Sequence, residues 1–360
     1  MKKSRISIIS SILIVAGCSG TGQLEWDKEY TLPDSIFEDA LELDAEIIEL
    51  SDSLYRATEF YVVRDSILVV VNDATSEVPY VEFYRMGYFD DRIAGYFLKG
   101  NGPLEMLSVN TYLSGKALDV VDLTKNVYSS IDIDAVLADP DYFPEEPVDM
   151  PSGAYSPFIT HFSSDSLILW NPDSCYDEIN DIGNKGVARF GFLRQGDNPE
   201  NFFGNNRYYM FNVNQGFLIV NKTKNRIIWA PSFYQGLEIY DCKQRPLIKI
   251  NAPGNMPFKY KVPYGNLVAF DSKIPFTYRN FCTESDSFFV TYVGDYMVNG
   301  DETKNFDSYI FRFDWNGNLL NVYHSPVYLG TLTRSSDGKY FYGRGLDSSG
   351  TIVLYRLSCL

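Results

Sequence analysis

ATEFYVV-RDS-ILVVV, residues 57–71, consists of two runs rich in branched and aromatic residues on either side of Asp65-Ser66. Val, Ile, Tyr, Phe and Thr fit a pleated, half-buried surface, and the polar pair between the runs is turn chemistry, so the stretch predicts a β-hairpin. The same figure recurs along the chain. VNTYL (109–113) and ALDVV (117–121) flank Ser114, Gly115 and Lys116, and PFITHF (157–162) and LILW (167–170) flank Asp165-Ser166. RYYMFNV (207–213) and FLIV (217–220) flank Gln215-Gly216, TYRNFC (277–282) and FFVTYV (288–293) flank Asp286-Ser287, and VYLGTLT (327–333) and KYFYG (339–343) flank Asp337-Gly338. The turns recur at about 50 residues, with one step longer by about 20, the period of a β-propeller blade.

A third strand follows each hairpin: YVEFYRM (80–86), VYSSIDI (127–133), GVARFGF (186–192), RIIWA (226–230), SYIFRF (308–313) and TIVLYRL (351–357). AGYFL (94–98), LEIYD (237–241) and LLNVY (319–323) supply fourth strands in several units. The last unit runs out of chain after its third strand, while EIIEL (46–50) precedes the first hairpin without a partner. Pairing these two would remove an exposed sheet edge. The expectation is an all-β chain: a six-bladed β-propeller of four-stranded antiparallel blades, its ring closed by the N-terminal strand.

Of the 360 residues, 45% are hydrophobic and 16% aromatic, enough for a large core and incompatible with intrinsic disorder. The formal charge of −16 would repel phosphate backbones, which sets nucleic acid aside as a partner.

Lys2, Lys3 and Arg5 precede an apolar run from Ile6 to Ala16, the charge and length of a secretion signal. The run ends Val15-Ala16-Gly17-Cys18, which resembles the bacterial lipobox; the resemblance implies cleavage after residue 17 and acylation of Cys18, so that the membrane is met through a lipid anchor. Ser19 stands where an Asp would resemble an inner-membrane retention signal, which favours the outer membrane. Residues 1–17 are then a signal peptide, 18–43 a polar, acidic tether, and 44–360 the propeller. The pairing of Cys175, Cys242, Cys282 and Cys359 stays open, with buried strand cysteine the favoured reading.

Asp65-Ser66-Ile67-Leu68-Val69, Val81-Glu82-Phe83 and Gly100-Asn101-Gly102-Pro103-Leu104-Glu105 together resemble the first blade of the TolB-like six-bladed propeller lipoproteins of Bacteroidota. The distinctive segment there reads GxGPGE, and Leu104 departs from its usual Gly. The resemblance implies fold and location; it carries no general activity or ligand.

A propeller gathers its outer-to-inner crossings and its second-to-third-strand loops at one mouth of the central channel. Glu105 lies in such a crossing, and Asn72, Asp73, Asp122, Asn171, Asn221 and Arg344 lie at or near the ends of second strands. Arg56, Arg207 and Arg279 lie at or near the starts of first strands, where converging guanidiniums could clamp a carboxylate or sulfate. These ten residues form the candidate ligand-binding set, alongside lipidation at Cys18. No catalytic residue is assigned. With only His161 and His324, a His-rich metal centre is excluded, and neither sits in a nucleophile motif. Asp132/Asp134, Glu145/Glu146 and Asp177/Glu178 are too many carboxylate pairs to select among. No cofactor is implied beyond the lipid on Cys18. The proline-rich stretch 242–276 reads as an insertion at the crossing between the fourth and fifth blades, either a lid or partner-contacting ridge over the same mouth or a loop packed on its rim. The functional expectation is a cell-envelope binding or scaffolding module for a protein or glycan; the alternative is a propeller hydrolase acting on a glycan or other anionic substrate.

Overall fold

Ile67–Asn72 is buried along its whole length, because its two faces serve two different cores. Ile67, Val69 and Val71 join Tyr61, Val63, Phe83, Leu118, Val120 and Ile131, whereas Leu68 and Val70 join Phe60, Val62, Tyr342 and Leu354. A strand covered on both faces reads as a continuous apolar run, and ILVVV is one. The computed structural model describes residues 25–51, 54, 56–139, 141–150, 215–243, 245–258, 260–261, 269–270, 273–298 and 306–359. It also describes the strands Ile159–Ser163, Ser166–Leu169, Asp177–Asp181 and Val187–Phe190. Its regular structure is almost entirely strand.

The strands form antiparallel meanders in chain order. The first runs Ala57–Val63, Ile67–Asn72, Val81–Arg85, Tyr88–Tyr96, and the second runs Asn110–Ser114, Ala117–Asp122, Val127–Asp132, Val148–Asp149. The third is made of the four strands between 159 and 190. The fifth runs Lys273–Thr283, Ser287–Val298, Ser308–Asp314, Leu319–Ser325, and the last runs Thr333–Arg334, Tyr340–Leu346, Ile352–Cys359. Tyr61 and Thr111 link the first meander to the second, and from there the first strands of successive meanders touch one another through to the last. The last lies against the first: Val62 N–H donates to Thr333 Oγ1 at 3.3 Å, and Thr331 Oγ1 donates to the Phe60 carbonyl at 2.8 Å.

Leu41–Ile48 pairs antiparallel with Ile352–Cys359, from Leu43 opposite Cys359 to Ile48 opposite Leu354. Leu43 is buried among Ile310, Tyr323 and Leu357, between the last two meanders. The expected pairing of an N-terminal strand with the last unit is present; it begins at Leu41, ahead of EIIEL.

Two expectations need correction. First, the segment 18–43 is not a free tether from Trp26 onward. Lys28–Thr31 adds a parallel strand to Pro246–Asn251, and Asp34–Phe37 forms a 3-10 turn. Trp26 meets the Tyr240 ring with centroids 5.3 Å apart, Phe37 lies 4.4 Å from Tyr309, and Leu32 is 5% exposed. These apolar residues sit within an acidic, polar run whose charge dominated its reading.

Second, the fourth meander is set one strand later than expected. Among the described residues its order is Gly216–Asn221, Arg226–Pro231, Gly236–Tyr240, Pro246–Asn251, so FLIV is in the first described strand of this meander. The first turn is Lys222–Asn225, with Asn225 at φ 58, rather than Gln215-Gly216. RYYMFNV (207–213) lies outside the described residues. LEIYD, expected as the fourth strand, is the third, and the fourth is PLIKIN, which falls within the stretch 242–276 read as an insertion; Pro is accommodated at the first residue of a strand because the ladder there needs no donor from it. Further on, Phe258 is 1% exposed and stacks on Phe233 at 5.3 Å, and Met256 N–H donates to Gln235 Oε1, so 252–258 is packed onto the body.

Candidate binding cavity

The first strands of the meanders border a cavity of about 500 Å³. Glu59, Tyr61 to Arg64, Asn110 to Leu113, Phe217, Arg279 to Glu284 and a run between Tyr328 and Ser336 line it, with Arg344 reaching in from a second strand. That reach depends on Gly330. The Gly330 N–H donates to the Arg344 carbonyl at 2.7 Å, and a Cβ on Gly330 would stand 2.6 Å from Arg344 Nη1. Where the inner segment carries no side chain, the guanidinium of the strand behind it fills the gap.

Among the described residues four arginines line the cavity, and they divide into two kinds. Arg64 is ion-paired to Asp134, which also holds Lys116. Arg334 is bonded to Glu284 at 2.5 Å and to the Gly338 carbonyl, between the rings of Phe289 and Phe341. Arg279 and Arg344 have no carboxylate partner among the described residues. Arg279 Nε donates to Tyr328 Oη at 3.3 Å, and its guanidinium sits 4.0 Å over the Phe276 ring. Arg344 Nε is buried without a hydrogen-bond partner. Asn280, next to Arg279, donates to the Gly330 carbonyl at 2.7 Å and so fixes the segment that carries Tyr328 and Gly330, the neighbours of the two guanidiniums.

The carboxylates of the cavity are engaged. Glu284 accepts from Arg334, Arg312 and Ser287, and Glu59 accepts from Tyr61 Oη and Thr111 Oγ1. Burial and the neighbouring Glu59 charge hold the Tyr61 phenol well above its ordinary pKa, and they do the same for Tyr112, so both stay protonated donors. The Cys282 thiol on the same wall is pushed up by burial and is free, as is Cys242. Among the described residues no cluster of His, Cys, Asp and Glu could hold a metal ion.

The other residues singled out in the sequence stand elsewhere. Arg56 Nε donates to the Asp73 carbonyl at 2.7 Å and its Nη2 lies 3.1 Å from the Asp73 carboxylate, so the two satisfy each other outside the cavity lining. Asn72 is buried between the Pro79 carbonyl and Glu82. Glu105 accepts the Gly102 N–H at 2.7 Å within GNGPLE, where a Cβ on Gly100 would collide with that same carboxylate. Asp122 accepts from the N–H groups of Leu107, Thr124 and Lys125, while Lys125 Nζ donates to the Gly102 and Glu105 carbonyls. GNGPLE and Asp122 are therefore drawn together, each committed to shaping the crossing. Asn221 caps its turn by accepting the Lys224 N–H. Arg207, Asn171, Cys18 and the His161 side chain lie outside the described residues. His324 bonds Glu42 at 2.7 Å, which ties the N-terminal strand to the fifth meander. Tyr328, Asn280, Glu59 and Glu284 went unremarked in the sequence.

No family model and no curated protein matches the chain. Among solved structures, a protein of Bacteroides fragilis described as exported superposes with a TM-score of 0.51 at 12% identity, covering 92% of this chain and 99% of its own. A DUF4221-family protein of Bacteroides vulgatus gives 0.49 at 10% identity over 89% and 99%, and virginiamycin B lyase of Staphylococcus aureus gives 0.46 at 8% over 88% and 100%. The likeness to the Bacteroides fragilis protein speaks for the fold alone, and this chain is nearly all β, in several sheets. Among the described residues no helix is long and apolar enough to cross a membrane.

Proposed function

We propose that this chain is a lipid-anchored binding module of the cell envelope. It is a six-bladed propeller of the TolB-like kind, with blades built on four strands and a ring closed by Leu41–Ile48. It is acylated at Cys18, held to the outer membrane, and takes a protein segment or glycan into its central cavity without converting it. The succession of meanders, the contact of the last with the first and the pairing of Leu41–Ile48 with Ile352–Cys359 support the ring.

One observation carries the binding reading: the cations Arg279 and Arg344 are uncommitted while the carboxylates Glu59 and Glu284 are held by neighbours. General acid–base hydrolysis needs a carboxyl free to give or take a proton, whereas capture of an anionic group needs free donors. Full-length protein in detergent should leave a panel of glycosides and esters unconverted by NMR. Turnover that disappears in Glu59→Gln would overturn the binding reading in favour of a hydrolase. The anchor is tested separately: mature protein should carry the mass of a diacylglycerol and an acyl chain, and Cys18→Ser should remove both and leave an unprocessed precursor. A lipid-labelled mature Cys18→Ser protein would refute the anchor.

A further inference from the structure

Resting on that binding reading, we infer that Arg279 and Arg344 form a subsite for the single carboxylate of a hydroxylated ring, a sugar acid of the uronate kind. A guanidinium kept partly out of water without a counter-charge is costly unless a ligand anion completes it. Here two such groups line one cavity, Arg279 bonded to Tyr328 and Arg344 set against Gly330, in the segment that Asn280 pins. Arg64 and Arg334, in the same wall, show the alternative outcome, since each has its own carboxylate.

The rest of the lining narrows the ligand. Phe217, Phe281 and Tyr328 offer apolar ring surface suited to the C–H surface of a pyranose, and Asn110 offers an amide for a ring hydroxyl. A cavity of about 500 Å³ accommodates one or two sugar rings. The formal charge of −16 opposes a polyanion at long range, so one acidic group is favoured over a heavily sulfated or phosphorylated chain. Arg279 is pre-positioned by Tyr328 and by the Phe276 face, and Arg344 by the gap at Gly330, so little side-chain order remains to be lost on binding.

The test is calorimetric titration of full-length protein with sodium glucuronate, glucose and inorganic phosphate at low salt, alongside Arg279→Gln, Arg344→Gln and Arg344→Lys. Glucuronate should bind, glucose should bind at least tenfold more weakly, and each Gln variant should raise Kd about tenfold or more. Arg344→Lys, which keeps the charge and loses the bidentate fork, should fall between wild type and Arg344→Gln. Melting curves identify any variant that fails to fold, and the wild-type comparison of glucuronate with glucose stands without them. Equal binding of glucose and glucuronate, or Gln variants that bind like wild type, would overturn the inference. Phosphate binding in preference to glucuronate would overturn the sugar-acid assignment. Absence of all anion binding by a protein that still captures neutral glycan fragments would overturn the subsite and leave the binding module standing, whereas turnover would overturn the module.

Discussion

Gly330 and Arg344 work as a pair, one supplying the gap and the other the charge that fills it. Gly330→Ala should displace the guanidinium and weaken glucuronate binding about tenfold with little change in melting temperature, because the clash falls on the end of a flexible side chain. Binding at wild-type strength would mean that Arg344 reaches the cavity by another path. At the other end of the same inner segment, Asp337 sits in the Ser335–Lys339 turn. The Lys339 ammonium, the Lys339 N–H and the Ser335 hydroxyl hold its carboxyl down at about 2, from 3.8. Asp134, held by Lys116 and Arg64, and Asp347, held by Ser349 and Thr351, are lowered in the same sense. A folded-state pKa below the unfolded one adds stability that is present above about pH 4 and is lost as pH falls towards 2. The melting temperature should drop across that window, and Asp337→Asn should flatten part of the drop. An unchanged acid limb in that variant would show that the turn contributes nothing to acid stability.

At the scale of elements, the N-terminal segment is where sequence and structure part most clearly. Tyr30 reaches the Gly317 carbonyl, Lys249 Nζ lies 2.7 Å from Glu29, and Leu32 closes the core formed by Ile228, Leu237 and Phe311. Leu32→Ala should cost about 2–5 kcal/mol, the usual range for emptying a buried leucine site, read from chemical denaturation of the full chain. A cost below about 0.5 kcal/mol would return the segment to the status of a tether. The hairpins of the first, second and fifth meanders are legible because their turns carry Asp-Ser or Gly-Lys signals between period-two or doubly buried runs, whereas in the last only Thr333 of the expected strand 327–333 is paired, opposite Tyr342. The fourth was misplaced because its true first turn, Lys222–Asn225, lacks Gly, while Gln215-Gly216 imitates one. Arg279 and Arg344 were legible as charges near strand ends. Asn280 was not, because register shifts between Phe276 and Tyr278 and between Tyr278 and Phe281 break the alternation that would tell which side chains face inward, and Tyr328 was not, because it lies in a run without strand structure that reads as strand in the sequence.

Across the whole molecule, stability and site are the same construction. The cores that hold Val69, Ile228, Phe289 and Val70 each join two neighbouring meanders and so depend on both, and Leu41–Ile48 pairs with Ile352–Cys359 at the other end of the described chain. Leu43→Asp should bury a charge between the last two meanders and lower stability by several kcal/mol, about 3 or more, while Glu46→Ala on the exposed edge should stay within about 0.5 kcal/mol despite its Arg356 contact. Equal effects would count against the N-terminal strand as the closing element. The central claim, that the cavity bordered by the first strands is where this protein meets its ligand, is tested most directly by hydrogen–deuterium exchange of the full-length protein with and without saturating glucuronate. The account predicts slower exchange in 279–284 and 328–335, with the outer strands Pro246–Asn251 and Leu319–Ser325 unchanged. Protection confined to those outer strands, or none anywhere, would contradict it.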